Sequence, residues 1–319
     1  MALDPILQTM LNQMPIPASE ELDIAAYRAS AEALRSMMIG PEGPIEVASI
    51  EDRTLAGPRG DIVLRIYRPN GAVAGTLHHF YGGGWSVGNI DIIDPIARRL
   101  ARDLSMVVVT SNYRLAPENP FPAGLDDCLV AARWTLDHVG ELGGGERPVV
   151  VSGESAGANL AAVVALVLRD EQPGRSFNAQ LLINPAVDLR DTTFQRASLL
   201  ADADPSLRTH SLRQLYPLYS AGHDRADPRL SPLAADDLSG LPPAVIAVLT
   251  VDPLRDEAVE YADRLRAAGV PVELIEFPDL THGFTGLTVL VPAADRALVR
   301  TLALLRELLA RTAADAGRS

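Results

Sequence analysis

The run Gly153-Glu154-Ser155-Ala156-Gly157 lies between two patterns that fix its geometry. Before it, Pro148-Val149-Val150-Val151-Ser152 reads as an apolar β-strand. After it, Ala158-Asn159-Leu160-Ala161-Ala162-Val163-Val164 reads as a helix of small residues. A strand that turns into a helix this abruptly has no room for side chains at the flanks of the turn, so glycines stand there. The serine hydroxyl is left exposed above the strand end, at a helix N-terminus.

The rest of the chain agrees with that context. Residues 1 to about 40 read as helical, with apolar residues at helical spacing from Glu20 to Met38 and a stop at Gly40-Pro41. Ile45–Ile50 and Asp61–Arg68 predict a hairpin around Gly57-Pro58-Arg59-Gly60. Strands at Thr76–Phe80, Met106–Ser111, Pro148–Ser152, Ala179–Asn184, Ala244–Val251 and Val272–Phe277 then alternate with helices. The helices include Asp94–Leu104, Leu125–His138, Asp256–Ala268 and a leucine-rich closing stretch, Ala293–Thr312. Such alternation predicts an α/β fold: a mainly parallel sheet with helices on both faces, formed by residues 1–319 as one domain. Residues 190–225 interrupt it with a polar excursion that carries a helical patch, Ser211–Tyr219. An excursion at that point is expected over the strand C-termini, where open α/β sheets bind ligands.

A formal charge of −13 argues against nucleic acid or anionic membranes as partners. The single cysteine, Cys128, excludes an internal disulfide and reads as a small buried apolar residue. With no leader pattern and no apolar run long enough to span a bilayer, a cytoplasmic protein is the expectation.

A serine hydroxyl attacks poorly at neutral pH unless a base takes its proton and a third group orients that base. Asp252 directly follows the strand Ala244–Val251, and His282 follows the last strand in Thr281-His282-Gly283-Phe284. Both therefore belong to the same sheet edge as Ser155. Asp256 is the rival acid, better suited to the first turn of the following helix. Gly82-Gly83-Gly84-Trp85 follows the strand Thr76–Phe80. Backbone N–H groups of Gly83 and Gly84, with that of Ala156, are candidates for receiving an oxyanion. Gly143-Gly144-Gly145 lies in a helix-to-strand connection at the opposite edge and reads as a loop. No His-Glu-x-x-His or comparable ligand spacing occurs, so no metal or cofactor is expected.

Taken with Tyr113-Arg114-Leu115-Ala116-Pro117-Glu118, Asp227-Pro228-Arg229-Leu230-Ser231-Pro232-Leu233 and His282-Gly283-Phe284, these motifs resemble the hormone-sensitive-lipase family of esterases within the α/β-hydrolases. The resemblance runs from about residue 75 to 285. It implies an eight-stranded sheet and a helical cap formed by about 1–42 and 190–225, with Trp85 bordering the substrate pocket. It also implies cofactor-free hydrolysis of short- to medium-chain acyl esters. Several members form dimers through the last strand, which leaves a homodimer open for this chain. Two positions depart from the family pattern. Glu154 stands where aspartate is usual, and Tyr81 stands where the family's oxyanion loop begins with histidine. The second departure bears on rate and substrate preference more than on reaction type. Lactone or amide hydrolysis with the same machinery remains an alternative, as does a non-catalytic ligand-binding role. A replaced histidine would mark the latter, and His282 is present.

Overall fold

A computed structural model of the protein describes residues 2–13, 21–143, 145, 147–171 and 176–316. Its strands are β1 (Ser49–Gly57), β2 (Gly60–Arg68), β3 (Gly75–Phe80), β4 (Met106–Ser111), β5 (Val149–Glu154), β6 (Ala179–Ile183), β7 (Ala244–Leu249) and β8 (Val272–Phe277). They form one eight-stranded sheet in the order β1-β2-β4-β3-β5-β6-β7-β8. Only β1–β2 and β2–β4 are antiparallel; the pairs from β4 to β8 are parallel. All parallel strands therefore end on one edge, where the loops after β3, β5, β6, β7 and β8 gather.

The α-helices are α1 (Pro5–Gln13), α2 (Ile24–Ile39), α3 (Asp94–Leu104), α4 (Ala123–Asp137), α5 (Ala156–Glu171), α6 (Ala197–Ala201), α7 (Thr209–Ser220), α8 (Arg255–Ala267) and α9 (Pro292–Ala316). Strand β4 explains why helices cover both faces. Its Met106 and Val108 belong to the core shared with Leu100 and Leu104 of α3, while Val107 and Val109 join Ile62, Leu64 and Ala131 of α4. A period of two sends alternate side chains to opposite faces, and both sets are apolar, so both faces need a helical layer. Cys128 is buried and unpaired within α4.

The hairpin is present, but its first strand is Ser49–Gly57 rather than Ile45–Ile50. This is an outer strand with mostly exposed residues, so charged side chains occupy it without cost. Asp52, for example, binds Arg65 of β2 at 2.7 Å. Among the described residues, the N-terminal region carries α1 and α2, and α2 starts after an Asp23 cap that accepts from the N–H groups of Ala25 and Ala26. Glu20 and Gly144 lie outside the described residues. The 190–225 excursion carries a 3₁₀ turn at Asp191–Gln195, then α6 and α7. Among the described residues, no helix is long and apolar enough to cross a membrane.

Candidate active site

Ser155 follows β5 directly, in a left-handed conformation with φ 55°, and α5 begins at Ala156. The two flanking glycines are required by contact. A Cβ on Gly157 would lie 2.1 Å from the Phe80 carbonyl oxygen, and one on Gly153 would lie 2.2 Å from the Gly157 carbonyl oxygen. Backbone cannot yield at such distances, so only glycine lets β3, β5 and α5 approach this closely.

Three sheet-edge loops meet at this turn. The Ser155 Oγ lies 2.8 Å from His282 Nε2, and His282 Nδ1 lies 2.7 Å from Asp252 Oδ2. With the Nδ1 proton donated to Asp252, Nε2 is left to accept from the serine hydroxyl. Asp252 is buried and held from two further sides. Its Oδ2 accepts from Asn184 Nδ2 at 2.9 Å and its Oδ1 from the Leu254 N–H at 2.9 Å. The rival Asp256, at the start of α8, instead accepts from the Ser198 N–H of α6. Burial opposes charge on the His282 ring, but Asp252 outweighs it, helped by Asp204 and Glu154. The imidazole pKa is thereby raised above its ordinary value. Glu154 is itself buried, which pushes its carboxyl up, and it accepts from the Thr285 hydroxyl in the histidine loop.

The glycine loop after β3 runs beside the nucleophile: a Cβ on Gly82 would lie 3.2 Å from Ser155 Cβ. Gly83 and Gly84 have φ of 111° and 58° and, with Ala156, line the same cavity as Ser155 and His282. Ala156 opens α5, so its N–H has no acceptor within the helix. Trp85 also lines the cavity, stacked on Tyr219 of α7 at 4.5 Å with the rings nearly coplanar at 4°. Tyr81 stacks on Tyr113 at 4.4 Å, and the Tyr113 hydroxyl donates to the Tyr81 carbonyl oxygen at 2.9 Å. Contacts of the Tyr81 hydroxyl with the Tyr113 backbone are long, at 3.4 and 3.5 Å.

The cavity measures about 250 Å³. Its floor is the sheet edge and its walls come from α2 (Tyr27, Leu34, Met38) and α7 (Leu212, Leu215, Tyr216). Among the described residues, no group of three or more His, Cys, Asp or Glu side chains could hold a metal ion. Several residues at the site went unread in the sequence. Asn184 directly follows β6 on the shared edge, which is a usable signal. Asp204, whose carboxylate accepts the His282 N–H at 2.7 Å, comes from an irregular loop and carried none. Tyr113 stood in a recognised motif without an assigned contact.

Residues 77–286 match a family described as having the alpha/beta hydrolase fold. The chain is 42% identical over 300 residues to the carboxylic ester hydrolase LipN of Mycobacterium tuberculosis, covering 89% of this chain and 77% of LipN. It is 39% identical over 318 residues to the carboxylesterase NlhH of the same organism, covering 96% of each. A solved hyperthermophilic esterase from Pyrobaculum calidifontis superposes with a TM-score of 0.86 at 33% identity, covering 97% of this chain and 99% of that one. With the serine turn, the sheet order and these relatives in agreement, the chain belongs to the α/β-hydrolase fold family, on its hormone-sensitive-lipase-like carboxylesterase branch.

Proposed function

We propose that Ser155, His282 and Asp252 are the nucleophile, the general base and the orienting acid of a serine carboxylesterase. One observation carries the assignment: an unbroken relay of 2.8 and 2.7 Å from a hydroxyl on a left-handed turn, through an imidazole, to a buried carboxylate. The reaction class is supported by the carboxylesterase relatives.

The chemistry follows from the relay. Ser155 Oγ attacks the ester carbonyl carbon as its proton passes to His282 Nε2. The carbonyl oxygen becomes an oxyanion and is received by the N–H groups of Gly83, Gly84 and Ala156. Collapse expels the alcohol, which takes the proton from Nε2 and leaves an acyl-serine. Water, deprotonated by the same nitrogen, attacks the acyl carbon; collapse breaks the bond to Ser155 Oγ, which takes the proton back from Nε2, and releases the acid. Asp252 keeps the ring in the required tautomer and offsets its charge at each protonated stage.

A cavity of about 250 Å³ with apolar walls falls below the ~300–1,000 Å³ of sites for drug-sized ligands. Short- to medium-chain acyl esters suit it, with α2 and α7 acting as the cap. The test is hydrolysis of a chromogenic ester series of rising acyl length, with Ser155→Ala alongside. Activity that vanishes in the variant and an optimum at short to medium chains are expected. Turnover that survives Ser155→Ala, or a folded wild-type protein inactive on every ester, would overturn the assignment. Amide turnover faster than ester turnover would move the reading to an amidase.

A further inference from the structure

The loop between α6 and α7 reaches back to the candidate base. Asp204 in this loop is fully buried, and each of its carboxylate oxygens is occupied. One accepts from the N–H groups of Ser206 and Leu207 at 2.7 and 3.3 Å, and the other from the His282 N–H at 2.7 Å. Beside it the Ser206 hydroxyl donates to Thr281 Oγ1 at 3.0 Å, a second tie between the same two segments. Ser206 and Leu207 both line the cavity, and their N–H groups bind Asp204, so the segment that carries the grip on the histidine backbone also forms part of the pocket wall.

We propose that Asp204 is a positioning residue for the catalytic base: from the cap it fixes the backbone of His282 and adds a further negative charge close to the imidazole. All three of these contacts are N–H donors, which the ionised carboxylate accepts at both oxygens. Burial and the neighbouring Asp252 charge outweigh the N–H bonds from His282 and Ser206, so the Asp204 carboxyl is held above its ordinary value. The carboxylates acting on the His282 ring are Asp252 from the loop after β7, Glu154 from the end of β5, and Asp204 from the cap. Of these, Asp204 alone belongs to an element that closes the pocket. Asp204 thus links the docking of this cap segment to the basicity of His282.

The inference rests on His282 being the catalytic base, and the experiment separates the two. The pH dependence of kcat/KM is measured for the wild type, Asp204→Asn, Ser206→Ala and Ser155→Ala with one short-chain ester. The free enzyme must carry a neutral imidazole, so activity falls as pH drops through the His282 pKa. Asp204→Asn removes a charge that favours the imidazolium, so its acid limb should move to lower pH by about 0.5–1 unit, with kcat on the plateau reduced about tenfold. Ser206→Ala removes the parallel tie without changing charge, so its kcat should fall with the limb unmoved. An unmoved limb with kcat within twofold of wild type in Asp204→Asn would sink the inference. Activity retained by Ser155→Ala would instead remove the assignment beneath it. Should Asp204→Asn fail to fold, Asp204→Glu decides. A wild-type limb with lowered kcat supports positioning by Asp204, and wild-type values of both overturn it.

Discussion

The sheet edge and helix α2 bound the same cavity but are held by different forces. At the sheet edge, Ser155, His282 and Asp252 stand on loops whose backbones are fixed by glycine contacts and buried hydrogen bonds. Helix α2, by contrast, has no fully buried residue along its 16 positions. It is docked by Arg28, whose guanidinium donates to the Ser86 carbonyl at 2.9 Å, the Ala116 carbonyl at 3.1 Å and both carboxylate oxygens of Glu118 at 2.8 and 2.7 Å. The Leu22 N–H adds a bond to Gln214 Oε1 of α7 at 2.8 Å. Helix α7 lies between the two cases. It buries Leu212, Leu215, Tyr216 and Tyr219, and Leu215 packs so closely on the glycine loop that a Cβ on Gly84 would lie 2.7 Å from it. Groups that must hold sub-ångström positions for chemistry are set in backbone and core, where movement is costly. The α2 wall of the cavity is set by partly exposed polar contacts, where movement costs little.

The contrast breaks most visibly at Asp252. In Asp252→Asn a single carbonyl oxygen must serve donors that now come from Asn184, Leu254 and His282. Whichever way the amide turns, its NH₂ faces another donor or forces His282 into the wrong tautomer. A kcat loss on the order of 10⁴-fold is expected, with a stability cost of about 1–3 kcal/mol from the unsatisfied buried group. Stopped-assay kinetics and denaturant unfolding read the two effects. Near-normal kcat would remove Asp252 from the triad and return Asp256 as the acid. Arg28→Met should behave differently. The apolar stem remains but the clamp is lost, so the expected change is a roughly tenfold rise in KM, equivalent to ~1.4 kcal/mol of docking. Because the catalytic groups are untouched, kcat should stay within about threefold. A fall in kcat with KM unchanged would mean that α2 holds the oxyanion loop through Ser86 rather than forming a loosely docked wall.

This division also explains what could be read from the sequence. Ser155, Asp252 and His282 were legible because each stands shortly after a parallel strand, and strand ends are set by local patterns that a sequence displays. The sheet itself was legible for the same reason, except at β1. There Glu51, Asp52 and Arg53 look like a loop, yet they form an exposed outer strand whose charges pair with Arg65 and Glu141. Asp204 and Arg28 were not legible. Their partners lie 78 and 58 to 90 residues away, across irregular segments. No local periodicity encodes such a meeting, and only the folded chain brings these groups together.

The smallest effect tests how far the precision of the sheet edge extends. Tyr81 stands where the family resemblance leads one to expect a histidine, and the structure divides the work between two phenols. The Tyr113 hydroxyl donates a 2.9 Å bond to the Tyr81 carbonyl, at the start of the glycine loop, whereas the Tyr81 hydroxyl makes only contacts of 3.4 and 3.5 Å. The Tyr81 ring fills the space beside Gly88, where a Cβ would come within 2.5 Å of it. The loop is therefore positioned by the ring of Tyr81 and the hydroxyl of Tyr113, not by the hydroxyl of Tyr81. Tyr113→Phe leaves a buried carbonyl short of a donor next to the oxyanion site, at a cost of about 1 kcal/mol, and should lower kcat about fivefold. Tyr81→Phe keeps the ring and should change kcat by less than about twofold. Parallel kinetics on one short-chain ester compare the two variants directly. A larger loss in Tyr81→Phe than in Tyr113→Phe would reverse the assignment and make the Tyr81 hydroxyl the functional substitute for the missing histidine.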